Sequence, residues 1–165
     1  CEPTLIDKMC LAFNKPIDGH APQLSGDALN AYCAAGPGTD HESSSFEEVQ
    51  EKIRAGMKIL IRVGSAANNM QDVLSKIARS NLPVENFLFC TDDKHIADIR
   101  AEGHINAIAR MAVKAGIDPV SAVRMATINA CRTYGIRRRG AIARSGSAGK
   151  QSRTGRGRQA GVRLP

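Results

Sequence analysis

Three short stretches of this sequence carry imidazole or carboxylate side chains that could do chemistry: DGHAP at 18–22, TDHE at 39–42 and FCTDD at 89–93. Their ionisable side chains are Asp18, His20, Asp40, His41, Glu42, Asp92 and Asp93. Imidazole nitrogens and carboxylate oxygens suit zinc, iron or manganese, and the same groups transfer protons in hydrolytic reactions. The simpler interpretation is that each stretch is an ordinary turn or helix start. The choice between these interpretations depends on whether the surrounding strands and helices bring the three stretches together.

The elements that would position these side chains alternate between strands and helices. Short extended runs are predicted at 15–18, 38–41, 57–63 and 86–91. Helical patterns follow at 25–36, 45–56, 68–81, 102–116 and 118–135. Ser45 and Asp118 are the predicted N-caps of the second and the last of these helices. The predicted apolar stripe of the helix at 68–81 consists of Met70, Val73, Leu74 and Ile77. Such alternation predicts parallel strands covered by helices, and therefore an α/β fold of about four βα units.

Polar residues recur at the same place in these units. His20 follows the first predicted strand, His41 ends the second, Arg62 lies in the third and Asp92 follows the fourth. In barrels built from parallel strands, the carboxyl ends of the strands meet at one mouth. We therefore expect His20, His41 and Asp92 to lie within about 10 Å of one another, which predicts a metal site. Taken singly, each has a plainer interpretation as a loop, ion-pair or helix-cap residue.

Charge divides the chain into two parts. Residues 1–136 contain 14 basic and 16 acidic side chains, whereas 137–165 contain nine basic side chains and no acid. A Gly-, Ser- and Arg-rich composition cannot bury a core, so the segment 144–165 is predicted to be disordered. This segment has two interpretations. We favour a shifted reading frame, and the alternative is an arm that binds nucleic acid.

The cysteines and the hydropathy exclude several classes of protein. Five widely spaced cysteines without a CxxC pair argue against a disulfide framework, a structural zinc site and the zinc deaminases that carry PCxxC. They fit a reducing, cytoplasmic location. No run of 18 apolar residues is present, so no membrane partner is expected.

The longer stretches KPIDGHAPQLSGDALNAYCAAGPGTDHES, GMKILIRVGSAANN, NFLFCTDDKH and YGIRRRGAIA carry a resemblance. Together they resemble the adenine deaminase family of the amidohydrolase superfamily, from about Lys15 to Ala143. The resemblance implies that residues 1–143 are the C-terminal part of a (β/α)8 TIM-type barrel. It also implies hydrolytic deamination of adenine to hypoxanthine and ammonia.

The resemblance also implies roles for particular residues. His20, His41 and Asp92 would be metal ligands, with Asp92 and His41 also catalytic. Residues that would bind substrate or support the ligands are Asp40, Glu42, Arg62, Ser65, Asp93 and His104. The family implies manganese or iron, as a pair of ions in the complete enzyme, adenine as the small-molecule partner and a possible homo-oligomer.

The chain departs from the family pattern in three places. The HxH pair and the bridging carboxylate expected from the first half of the barrel are absent, so this chain alone is not expected to deaminate adenine. Val63 stands where the family usually has a glutamate, which would remove a carboxylate near the mouth. The resemblance stops at residue 143. Two alternatives remain: another amidohydrolase acting on cyclic amides or amines, and a basic-tailed RNA-binding protein.

Overall fold

A computed structural model describes residues 3–12, 14–66 and 70–136. Its sheet has three parallel strands in the order β1 (Thr39–Asp40), β2 (Lys58–Arg62) and β3 (Phe87–Cys90). Thr39 pairs with Lys58, and Ile59 pairs with Phe87, so each strand is in parallel register with the next along the chain. Parallel neighbours joined through helices confirm the predicted α/β class.

The predicted strand at 15–18 is wrong, so the described residues hold three strands rather than four. The segment runs beside the start of β1, but the Gly38 N–H bond to the Ile17 carbonyl, at 3.0 Å, is an isolated backbone contact there. Pro16 has no N–H to donate, which weakens any ladder through this segment. His20 is therefore held by a loop and not by a strand end.

The helices surround the sheet, and most lie where the sequence predicts them. Their bounds are α1 Pro3–Leu11, α2 Gly26–Ala34, α3 Phe46–Arg54, α4 Met70–Arg79, α5 Ile96–Glu102, α6 Ile105–Lys114, α7 Pro119–Ala126 and α8 Ile128–Thr133. The predicted N-cap at Ser45 is confirmed, because its Oγ accepts the Glu48 N–H at 3.2 Å. Helices α1 and α5 were not predicted.

The single helix predicted over 118–135 is wrong and is replaced by α7 and α8. The break falls at Thr127, whose φ and ψ of −136° and −83° are not helical. The Thr127 hydroxyl donates to the Val123 carbonyl at 2.6 Å. A side-chain donor of this kind competes with the backbone for the carbonyl four residues earlier.

The apolar core lies between the sheet and helices α3, α4, α6 and α7. Ile59 and Ile61 of β2 are fully buried there, alternating with half-buried Lys58, Leu60 and Arg62 on the opposite face of the strand. The alternation follows from the two-residue period of a strand. Arg62 is thereby directed away from the core and toward the residues that follow the neighbouring strands.

Across the described ranges, no helix combines the length and the apolar character needed to cross a bilayer. The predictions for the basic segment 144–165 and for the end of the domain at residue 143 concern residues outside those ranges, and they stay predictions.

Candidate metal centre

A compact cluster lies beyond the end of β1 and consists of His20, His41 and Glu42. It is called the histidine cluster below. His20 Nδ1 lies 3.4 Å from His41 Nε2. The Glu42 Oε1 atom lies 3.8 Å from the first of these nitrogens and 3.6 Å from the second. Ligand atoms from all three residues fall within 4.8 Å of one another. The His20 side chain is 64% exposed, while His41 is 25% exposed, so the cluster opens to solvent on the His20 side.

Arg62 joins this cluster to Asp92. Its Nη1 atom donates to Asp92 Oδ2 at 2.7 Å and lies 3.1 Å from Glu42 Oε1. The hydrogen bond from Arg62 and the charge of that guanidinium lower the pKa of Asp92, and burial opposes them only in part. The Asp92 carboxylate therefore stays ionised across the neutral range, with Arg62 as its cationic partner.

The chain is bent sharply where it presents Asp92. Asp92 has a φ of 44°, in the left-handed region that few residues other than glycine adopt, although aspartate tolerates it better than most. Just before it, Cys90 is half-buried, and burial together with the Asp92 charge raises the pKa of its thiol to about 12. The thiol is therefore neutral and does not compete with the histidines as a thiolate.

Two other predicted residues lie around the loop that follows β3. The Ser65 hydroxyl donates to Asp98 and accepts the His95 N–H at 2.8 Å, so it holds the start of α5. His104 Nε2 lies 2.9 Å from the Thr91 Oγ1 atom. Their observed contacts are with this loop and α5, and not with the histidine cluster.

Residues 63 and 64, which follow β2, are both closely packed. The Asp93 carboxylate lies so close to the backbone of Gly64 that a β-carbon at residue 64 would fall 1.7 Å from its Oδ1 atom. Val63 is 4% exposed and belongs to the apolar core with Ile61. In this chain, position 63 is therefore a core position and not part of the histidine cluster.

A buried ion pair lies beneath the cluster. Asp40 and Lys52 are both fully buried, with Lys52 Nζ 2.9 Å from Asp40 Oδ2. Asp40 also accepts the backbone N–H groups of Ala21 and Ser43, each at 2.9 Å. Burial raises the pKa of Asp40, but hydrogen bonds from Lys52 and Ser43 outweigh it, so the net direction is downward. Asp40 was predicted as a supporting residue, whereas Lys52 was missed because a lysine in an amphipathic helix normally signals a solvated face.

A second set of hydrogen bonds holds the loop that carries His20. The Tyr32 hydroxyl accepts the His20 N–H at 2.9 Å. The Thr39 hydroxyl accepts the Gly19 N–H at 3.2 Å and donates to Asp18. Asp18 also accepts from the hydroxyl of Tyr134, at 2.7 Å, which connects this loop to the end of α8. Burial and the Asp18 contact raise the pKa of Tyr134, so its hydroxyl remains a donor.

The donor set fits a divalent transition-metal ion. Two nitrogen ligands of a tetrahedral ion, each at about 2.0–2.1 Å from it, are about 3.4 Å apart. That spacing equals the separation of the His20 and His41 nitrogens. Two imidazoles and a carboxylate form a mixture that zinc, iron and manganese all accept. Glu42 is the carboxylate nearest to both rings, while Asp92 reaches the cluster through Arg62.

The family profile described as "Amidohydrolase family" matches residues 1–145 of this chain. The chain belongs to the amidohydrolase family. Amidohydrolases are typically metal-dependent, which agrees with the donor set around His20 and His41.

Three curated relatives of this chain have the same name, adenine deaminase. An adenine deaminase of Kosmotoga olearia is 52% identical over 129 residues, which is 78% of this chain and 22% of that protein. Adenine deaminases of Desulfatibacillum aliphaticivorans and Clostridium acetobutylicum are 43% and 47% identical, over 86% and 87% of this chain and 25% of each relative. The chain therefore spans about a quarter of the length of these relatives.

Proposed function

We propose that this sequence forms part of an adenine deaminase, in the C-terminal part of a (β/α)8 barrel. The observation that supports this most directly is the pair of imidazole nitrogens 3.4 Å apart beside two carboxylates joined by Arg62. The high identity to adenine deaminases over most of the chain supports the substrate class.

The residues divide into two roles in this proposal. His20 and His41 would hold the metal ion, with Asp92 or Glu42 as the carboxylate ligand. Manganese or iron is the proposed ion, and its paired form would need ligands beyond those of this chain. When bound, such an ion supplies a hydroxide nucleophile at neutral pH by making water more acidic.

The proton transfers are assigned to Asp92. Its Oδ2 atom is held by Arg62 at 2.7 Å, which leaves Oδ1 as the oxygen that accepts the proton of the attacking water. Its lowered pKa keeps the carboxylate ionised at neutral pH, and only the ionised form can take up a proton. The water oxygen replaces the exocyclic nitrogen at C6 of adenine, and the transferred proton leaves with that nitrogen as ammonia. Water and adenine are thus consumed, and hypoxanthine and ammonia are formed.

The decisive experiment measures ammonia and hypoxanthine release from adenine with added Mn²⁺ or Fe²⁺. It compares the 165-residue chain with the polypeptide encoded by the complete reading frame around this segment. We expect turnover from the longer polypeptide, its loss in Asp92→Asn, and no enzymatic turnover from the 165 residues alone. Hydrolysis of a cyclic amide without any release of ammonia from adenine would contradict the proposed substrate and favour another amidohydrolase reaction.

A further inference from the structure

Lys52 contacts both loops that carry the histidines. Its Nζ donates to the carbonyl of Ala21, the residue after His20, at 2.6 Å. The same ammonium lies 2.9 Å from Asp40 Oδ2 and 3.2 Å from the Ser43 hydroxyl, on either side of His41. One charged group on α3 therefore bonds to a backbone carbonyl beside His20 and to two side chains that flank His41.

The environment of Lys52 holds its Nζ atom in one place. The Lys52 side chain is completely buried, and Glu48 Oε1 is its fourth acceptor, at 2.7 Å. Glu48 also accepts the Gln23 N–H at 2.8 Å, which adds another contact with the loop that follows His20. A buried ammonium without partners is strongly destabilising, so the Lys52 Nζ atom is held at the point where these acceptors meet.

Lys52 touches neither imidazole, yet it contacts a neighbour of each. Because the Ala21 carbonyl is bonded through one peptide to His20, a shift of that carbonyl moves the ring. Asp40 directly precedes His41, so a rotation of its carboxylate reorients the turn that holds the second ring. Hydrogen-bonded partners outside the ligand set orient metal ligands in this way.

We propose that Lys52 is a positioning residue that fixes the separation of His20 and His41 by holding Ala21, Asp40 and Ser43 to one ammonium. The inference rests on the proposed metal site. Without the ammonium, the bond from the Ala21 N–H to Asp40 still joins the 18–23 loop to the 40–43 turn. The Ala21 carbonyl and the Asp40 carboxylate then lose the cation that holds them together, and the two nitrogens sample a wider range of distances.

The test measures Co²⁺ binding to the chain by visible absorption and by calorimetry, for wild type and Lys52→Met. The matched control is Lys58→Met, because Lys58 Nζ donates to Asn86 Oδ1 at 2.6 Å near the amino ends of β2 and β3, away from the histidines. We expect Co²⁺ affinity to fall about 10- to 100-fold in Lys52→Met and to stay within about threefold of wild type in Lys58→Met.

A second readout needs no metal. Amide hydrogen exchange should accelerate at Ala21 and Ser43 in Lys52→Met, because both N–H groups donate to the Asp40 carboxylate that Lys52 holds. Exchange at Ile61, in the core strand, should be unchanged. Equal acceleration at Ile61 would indicate general destabilisation and would overturn the positioning role.

A third variant covers the case in which Lys52→Met does not fold. The double variant Asp40→Asn/Lys52→Met removes both buried charges, and neutral replacement of a buried pair is tolerated better than loss of one partner. We expect the double variant to fold and still to bind Co²⁺ at least tenfold more weakly than wild type. Wild-type affinity in either folded variant overturns the inference. Failure of wild type to bind Co²⁺, or binding that survives His20→Ala, instead overturns the proposed metal site.

Discussion

The Nη1 atom of Arg62 lies 2.7 Å from Asp92 Oδ2 and 3.1 Å from Glu42 Oε1, so one guanidinium at the end of β2 joins the residues that follow β1 and β3. Arg62 ends β2, Glu42 follows β1 and Asp92 follows β3. The two carboxylates would repel one another without a cation between them. Arg62 is therefore the group that allows the Glu42 and Asp92 side chains to lie close to each other beside the histidines.

Replacement of Arg62 should raise the pKa of Asp92. The arginine favours the ionised carboxylate, so its stabilising contribution is present above the ordinary aspartate pKa of about 3.9 and is lost as pH falls through the lowered folded-state value. Because the Asp92 side chain is 44% exposed, solvent screens the pair and its effect on stability should stay below about 1 kcal/mol. Carboxyl NMR titration of Arg62→Met should show the higher pKa. Arg110→Met, which removes an exposed arginine bonded to the Glu102 carbonyl, should leave the Asp92 titration unchanged.

The buried Asp40 should make the fold sensitive to acid. The net pKa of Asp40 is lowered, and the pKa of Glu48 is lowered as well, where burial opposes the shift and the Lys52 bond outweighs it. Their stabilising contribution is therefore complete above about pH 4–5 and is lost as pH falls through the lowered values. Urea unfolding from pH 7 to pH 2.5 should show a smaller loss of stability with falling pH for Asp40→Asn than for wild type. An equal pH dependence in the two proteins would argue against this origin.

His20→Ala and His41→Ala should each weaken Mn²⁺ or Co²⁺ binding by at least about tenfold, because each removes one of two nitrogens already at ligand spacing. Calorimetric titration measures the effect. His95→Ala is the matched control, since His95 is an exposed histidine at the start of α5. Equal weakening by all three substitutions would mean that binding is not localised at the cluster.

Gly19→Ala should destabilise the loop that carries His20. A β-carbon at residue 19 would lie 2.1 Å from the Thr39 carbonyl oxygen, and a backbone atom cannot move away as a side chain can. The expected cost is about 1–3 kcal/mol, the range for an overpacked site. Gly38→Ala is the comparison, because a β-carbon there meets nothing within 4 Å. Thermal unfolding should separate the two variants, and a tolerated Gly19→Ala would show that the loop shifts freely.

Local signals predicted much of the fold. Strands β2 and β3 are short, largely apolar runs, and Met70, Val73, Leu74 and Ile77 form the predicted buried stripe of α4. The Ser45 cap and the Asp118 cap are likewise visible in a few consecutive letters. These features depend on residues within one or two helical turns, which is the range over which propensity and periodicity operate.

The features that the sequence did not predict depend on contacts between distant residues. The burial of Lys52 is decided by Ala21, 31 residues away, and by Asp40 on another element. The role of Arg62 as a bridge depends on Asp92, 30 residues away. Helix α5 has seven residues, and the break at Thr127 comes from one side-chain hydrogen bond. Neither feature is large enough to change the spacing of apolar residues from which a helix is predicted. The position of Glu42 beside both histidines likewise follows from how the loops pack.

The hydrogen bond between Tyr134 and Asp18 joins residues 116 positions apart, and it ends two residues before His20. When the ribosome has added His20 and His41 to the chain, it has not yet added Tyr134, whose hydroxyl donates to Asp18. Contacts of such long sequence separation form late, because the loop between them must close first. The histidine cluster is therefore expected to reach its final geometry only after α8 has been synthesised. In a nascent chain paused before Tyr134, both imidazoles would be present, but their separation would not yet be fixed.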